Sequence, residues 1–394
     1  MTVTKMTGPV WCGLLILVAW TPELQGSQDS RAPGVRRTAD DRRPRFDRVV
    51  RLEETGATSA NVSLGDVNGD RHLDVVLVKG RHWPLPDRVL LGDGKGGFAP
   101  AYDLGSASDR SYSGLLVDLD RDGDLDVVVS NDLPDPKLVY LNDGKGSFRV
   151  SSTFGRPEWS TRNVSVADFN GDALPDIVVA NRGQKGANYI CLNRGSGRFD
   201  DNCEAFSRES ATTITPADMN GDGRIDLVVP HRDGGQSHVY IRELGSELRF
   251  RRVAFGLGTA TIRATATADF DGDGNIDIAA IDEEKGAAIY FGESNGGYAA
   301  GHPISGRSPT PYALAVADLD LDGRADLIVG HVEAPSAAYF NDGSRTGFVR
   351  VSFGDSEGTV YGFSIADVDE DGRPDIAAAR SDAPNMLYFA SRVP

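Results

Sequence analysis

Short β-branched and aromatic runs recur along the chain, separated by turns rich in Gly, Asp and Asn. One stretch shows the unit: Asn163-Val164-Ser165-Val166-Ala167, an acidic segment from Asp168 to Asp176, Ile177-Val178-Val179-Ala180, then Asn188-Tyr189-Ile190-Cys191-Leu192, a turn, and Phe199 onward. Each piece has strand length and composition and is bounded by turn residues. No helical period runs uninterrupted for ten or more residues. Four such strands, A to D, repeat about every fifty residues, seven times in all. A period of this size marks a stacked or radial array of one small unit, and four short antiparallel strands per unit predict a propeller blade. The fold class that follows is an all-β, seven-bladed β-propeller of four-stranded antiparallel blades.

Two finer patterns support closure and packing. Strand D candidates begin at Phe46, Phe98, Phe148, Phe199, Phe250, Tyr298 and Phe348, whereas the chain ends at Met386-Leu387-Tyr388-Phe389, a strand C without a D. The segment Phe46 to Leu52 therefore supplies the missing outer strand of the last blade and removes the free edges of an open array. Within strand A, residues two and four before the acidic segment are mostly bulky, as in Val62 and Leu64 or Phe363 and Ile365, while those one and three before are mostly small. Such alternation sets large side chains of one blade against small ones of the next.

The acidic segments are nonapeptides of the form Asp-x-Asp/Asn-x-Asp-x-x-x-Asp. Their polar positions are Asp66, Asn68, Asp70 and Asp74; Asp118, Asp120, Asp122 and Asp126; Asp168, Asn170, Asp172 and Asp176; Asp218, Asn220, Asp222 and Asp226; Asp269, Asp271, Asp273 and Asp277; Asp318, Asp320, Asp322 and Asp326; and Asp367, Asp369, Asp371 and Asp375. Carboxylates at positions 1, 3, 5 and 9 of a tight turn, with a carbonyl at 7, form an oxygen cage that suits Ca²⁺. Without a cation these groups repel one another, although Asp and Asn favour turns in any case. Gly at position 6 in five copies fits a positive φ at the bend. Arg71 in the first copy and Ala173 with Pro175 in the third make those two sites, 66–74 and 168–176, the weakest of up to seven. An EF-hand is excluded, because the position of its twelfth-residue Glu is apolar in every copy. Affinities on the order of 0.1 to 1 mM are expected for exported modules.

Charge agrees with a metal-binding role. The formal net charge is −17, which excludes a surface built to neutralise nucleic-acid or lipid phosphates. Seven Ca²⁺ would bring −17 to about −3. Residues 1–26 have the pattern of an export signal, with Lys5 before the apolar stretch Val10 to Trp20 and Leu24 and Gly26 at the cleavage positions. Residues 27–45 are polar and Arg-rich, as in a disordered leader, and 46–394 form the propeller. The expected location is secreted, periplasmic or cell-surface, as a monomer, with no membrane span once the signal is removed. Cys191 and Cys203 flank a Gly-rich turn in one hairpin, and either a cross-strand disulfide or two buried thiols would fit.

The nonapeptides on this period, Tyr-Leu-Asn-Asp-Gly-Lys-Gly-Ser-Phe at 140–148, and the Phe-Gly pairs at 154, 255 and 353 resemble the FG-GAP/VCBS repeat family over about nine-tenths of the chain. That family includes the calcium-bearing propeller of integrin α chains and many exported bacterial proteins. The resemblance implies partners at the rim opposite the metal loops, and it implies little about function, since related propellers include adhesion modules, lectins and a few lyases.

If the metal loops join strands A and B, the D-to-A and B-to-C connections form that opposite rim. Six residues before each first aspartate stand Ala60, Tyr112, Arg162, Thr212, Arg263, Tyr312 and Tyr361, which should ring the channel mouth. Neighbouring loops add Arg81, His82, Trp83, Trp159, His231, Arg232, Asp233, His331 and Glu333. Aromatic faces beside arginines suit a glycan, particularly an anionic one. The expectation is an adhesion, binding or scaffold module for an extracellular glycan or surface protein, with Tyr112, Arg162, Arg263, Tyr312, Tyr361, Trp83, Trp159 and His231 as ligand-binding residues. No catalytic residue is assigned. A polysaccharide lyase or hydrolase at the mouth, using His231 with Asp233 or His82 with His331, is the alternative.

Overall fold

The computed structural model describes residues 43–183, 186–199, 203–245 and 247–391. The expected export signal and nearly all of the expected leader lie outside them. The described residues form seven four-stranded antiparallel sheets, and no helix occurs among them. Blade 2 is representative: Ser111–Val117, Asp126–Asn131, Lys137–Leu141 and Arg149–Phe154 are its strands A to D. The last sheet is completed by Arg45–Arg51, which pairs antiparallel with Met386–Ser391. Arg48 reinforces this closure by stacking 3.8 Å over Phe389 and reaching Asp369 at 2.5 Å.

Two outer strands are shorter than the pattern suggests. In blade 3, Phe199 makes only an isolated bridge to Asn193, and strand D proper is Glu204–Ser207. In blade 5, Tyr298 likewise makes an isolated bridge, and strand D shrinks to His302–Pro303. Cys191 and Cys203 are joined by a disulfide across the blade 3 hairpin.

The core is divided among the blade interfaces. Seven apolar clusters occur, and each mixes residues of two neighbouring blades. Between blades 7 and 1, bulky Val62, Leu64, Val75 and Leu77 meet small Ala377 and Ala379. Between blades 6 and 7, Ala313 and Ala315 receive Phe363 and Ile376. Each fully buried aliphatic side chain contributes about 1.5–3 kcal/mol, so no blade is stable without its neighbours.

Candidate functional site

The nonapeptides join strands A and B in every blade, which puts them together on one rim. Position 9 carries out a task that the sequence pattern does not announce. Asp126, 1% exposed, accepts the Leu119 N–H on Oδ2 at 2.9 Å and the Asn142 N–H on Oδ1 at 2.9 Å. The other six ninth-position aspartates bind in the same way, each tying its A–B loop to the end of strand C. Burial, offset in part by these donors, pushes Asp126, Asp277 and Asp326 up to about 7 and Asp74, Asp176, Asp226 and Asp375 up to about 6.

The bend needs two left-handed residues. Positions 4 and 6 have positive φ in all seven loops, including Arg71 and Ala173 at position 6 and Arg121, Leu321 and Glu370 at position 4. Every loop keeps glycine at one of the two positions. Loops 1 and 3 therefore retain the bend despite lacking Gly at position 6. A sharper division comes from position 3. Asp118, Asp120 and Asp122, Asp269, Asp271 and Asp273, Asp318, Asp320 and Asp326, and Asp367, Asp369 and Asp371 each bring one oxygen within 4.8 Å of the others, an arrangement that could hold a metal ion. In loops 1, 3 and 4 an asparagine amide donates to the fifth-position carboxylate instead, at 2.8–2.9 Å. Asp118 Oδ1, Asp320 Oδ1 and Asp369 Oδ1 are buried without a hydrogen-bond partner among the described residues, oxygens that a cation would satisfy.

On the opposite rim, a cavity of about 240 Å³ is lined by all seven residues from Ala60 to Tyr361 that lie six places before a first aspartate. Arg263, 6% exposed, lies with its guanidinium 3.2 Å from the Tyr312 ring centroid and 3.0 Å from Glu283. Tyr312 donates to the Tyr361 hydroxyl at 3.2 Å, and Arg81 covers the Tyr361 ring at 3.8 Å. Arg162 stacks 4.4 Å from the Tyr112 centroid and pairs with Asp132 at 2.6 Å. His82 lies 3.2 Å from the Tyr112 hydroxyl, and burial together with nearby Arg81 and Arg162 lowers its pKa. Arg81 Nε, Thr212 Oγ1 and Thr213 Oγ1 line the cavity buried and without a hydrogen-bond partner among the described residues.

Other expected residues lie elsewhere. Trp83 is 70% exposed and does not line this cavity. Trp159 stacks on Tyr189 at 3.9 Å and packs against the core between blades 2 and 3, away from the mouth cavity. His231 lines a separate groove at the outer edge of blades 3 and 4. Asp233 pairs with Arg182 at 2.9 Å, and His331 is buried with Nδ1 on the Pro335 carbonyl at 2.7 Å. Neither of the two acid-base pairings is assembled at the mouth. Arg182 lines the mouth without having been singled out. A mirror count would have found it: six residues past the ninth-position aspartate stand Asp132, Arg182, Arg232 and Glu283, the charges that pair around the mouth.

Closed blades, acidic A–B loops and a lined mouth define a repeat propeller with two distinct rims. The model of the FG-GAP-like repeat matches residues 66–129, 118–179, 168–229 and 233–329, and the chain belongs to that family. Among curated proteins no relative matches the sequence. Similar solved structures include a lectin from Burkholderia pseudomallei, BP39L, at 13% identity and TM-score 0.65, covering 86% of this chain and 99% of that one. A lectin of Agrocybe aegerita, described as recognising non-reducing terminal N-acetylglucosamine, aligns at 18% identity and TM-score 0.54 over 84% of this chain and 87% of its own. BBS1N, solved in complex with ARL6DN, aligns at 13% identity and TM-score 0.57 over 88% and 96%. At these identities the likeness is one of fold.

Proposed function

We propose that this is an exported, calcium-stabilised binding module whose mouth takes an acidic glycan, free or displayed on a surface protein. The observation that carries the reading is a cationic, aromatic mouth with unsatisfied donors on a chain of net charge −17. Buried polar atoms without partners are costly, and a ligand rich in oxygen would satisfy Arg81, Thr212 and Thr213 together. Tyr112, Tyr312 and Tyr361 offer rings against which a sugar can pack, while the guanidiniums offer paired donors to a carboxylate. Calcium is the metal that fits the loops, because every side-chain donor is a hard oxygen. The lectin propellers noted above show that this architecture can carry sugar recognition, which supports the glycan reading.

Titration with oligogalacturonate and with a neutral malto-oligosaccharide tests it. Arg81→Ala removes the one mouth arginine without a carboxylate partner among the described residues, and should weaken oligogalacturonate binding about tenfold or more. Equal affinity of wild type and variant, or equal binding of the neutral oligomer, would refute the reading. Recovery of the oligomer uncut separates binding from cleavage.

A further inference from the structure

At most blade interfaces the repeat closes the outer cleft with an apolar residue at the end of strand D. Phe154, Phe255 and Phe353 stand opposite Lys137, Ser237 and Ser336, and each is buried. The glycine that follows lies against an aromatic ring of the next blade: a methyl group on Gly354 would come within 2.8 Å of Tyr388, and one on Gly256 within 3.4 Å of Tyr290. The cleft is closed at those two interfaces, while between blades 1 and 2 a groove of about 440 Å³ lies beside Gly105.

Between blades 3 and 4 the edge-on contact with the next blade's tyrosine is kept, but it comes from Phe206, one residue earlier across a bulge in strand D. Ser207 stands opposite Asn188, the register position that phenylalanine holds elsewhere, and Arg208 takes the place of the glycine. Glu209, 8% exposed, then reaches the blade 4 tyrosine: Tyr240 donates to its carboxylate at 2.8 Å and His238 Nδ1 lies 2.9 Å away. A groove of about 610 Å³ results, with Phe206 and Phe250 along one side. Burying the Glu209 carboxylate at an interface that is otherwise apolar costs stability unless it is hydrogen-bonded, and such local departures from a repeat's rule mark function. Two further observations point to the ligand. Arg208 and Arg252 are exposed at the groove, and no carboxylate lies within ion-pair distance of either among the described residues. His231 Nδ1, which also lines it, is buried without a partner among them.

We infer that this groove is a second binding site, separate from the mouth, for a single acidic sugar unit of the hexuronate class. Arg208 and Arg252 take its carboxylate, Phe206 and Phe250 pack against its ring, and His231 with Gln236 meets its hydroxyls. The guanidinium pair selects the acid over a neutral sugar. The inference does not depend on the mouth.

The test is titration of the full chain with D-glucuronate and D-glucose by calorimetry, in the wild type and in the Arg81→Ala background. Ser207→Phe with Arg208→Gly, which adds bulk at the groove wall and removes one guanidinium, should abolish glucuronate binding in both. Arg252→Gln, which removes the second guanidinium, should weaken it about tenfold or more. Glucuronate binding that both groove changes leave untouched, absence of glucuronate binding in the wild type, or glucose binding as tight as glucuronate would each overturn the proposal. If only Arg81→Ala weakens glucuronate, the acid is held at the mouth and the groove reading fails while the mouth reading stands.

Discussion

Asp126→Asn and Asp122→Asn change the same loop by one atom each, yet they should behave differently because the two carboxylates do different work. Asp126 holds two buried backbone N–H groups, those of Leu119 and Asn142, both at 2.9 Å. An asparagine can accept only one of them, and leaving the other unsatisfied costs about 1–3 kcal/mol. Alanine frees both, for about 2–6 kcal/mol. Asp122 accepts only the exposed Asp124 N–H at 3.0 Å and sits among like charges. Without a cation its replacement should change stability by less than about 0.5 kcal/mol. With 10 mM calcium and a site of 0.1–1 mM affinity, binding adds about 1.4–2.7 kcal/mol, and that increment shrinks once a ligand is lost. Melting of both variants with EDTA and with calcium gives the answer. At pH 5, below the raised pKa of Asp126 so that relief of its buried charge does not mask the lost hydrogen bond, Asp126→Asn should melt below the wild type in both conditions, and Asp122→Asn only in calcium. If EDTA erases the Asp126→Asn deficit, the stapling role is wrong; if calcium raises no melting temperature, the metal assignment is wrong.

Asp87 is buried, accepts the Lys79 N–H at 2.8 Å and the Ser111 hydroxyl at 3.0 Å, and is pushed up to about 7 by burial. Its raised pKa favours the folded state fully below the ordinary value near 4, and that advantage is lost as pH rises to about 7, an effect of about 4 kcal/mol. Asp87→Asn keeps both bonds with its oxygen and amide, so it should melt above the wild type at pH 8, with the difference disappearing near pH 4. A pH-independent difference would contradict this. Cys203→Ser opens a cross-link spanning 12 residues and should cost about 3 kcal/mol of unfolding free energy, read by denaturant titration.

Most of the frame was legible in the sequence because it depends on period and register alone. The seven A–B loops, the closing strand at Phe46 to Leu52 and the mouth residues each follow from counting, since a strand's side chains keep a fixed phase relative to the loop that ends it. Residues carried on longer connections were harder to place. Trp159 and Trp83 sit on loops of similar composition, yet one stacks on Tyr189 and the other faces solvent, a choice made by the neighbouring blade. The positive φ at the fourth loop position carries no sequence signal in three copies, because Arg121, Leu321 and Glu370 are not residues that favour it. The ninth-position aspartate looked like one more metal ligand, because its partners, strand C amides some 15 to 18 residues on, carry no side-chain signal.

Pairing of Arg45–Arg51 with Met386–Ser391 has a consequence for biosynthesis. The polypeptide emerges with its outermost strand first and must keep it unpaired until the final hairpin has left the ribosome. Until that moment blade 1 and the nascent end both expose an edge and an apolar face to the surroundings. Association between incomplete chains competes with closure throughout that interval, so a chaperone that shields the open edge would matter most while the last blade is being made.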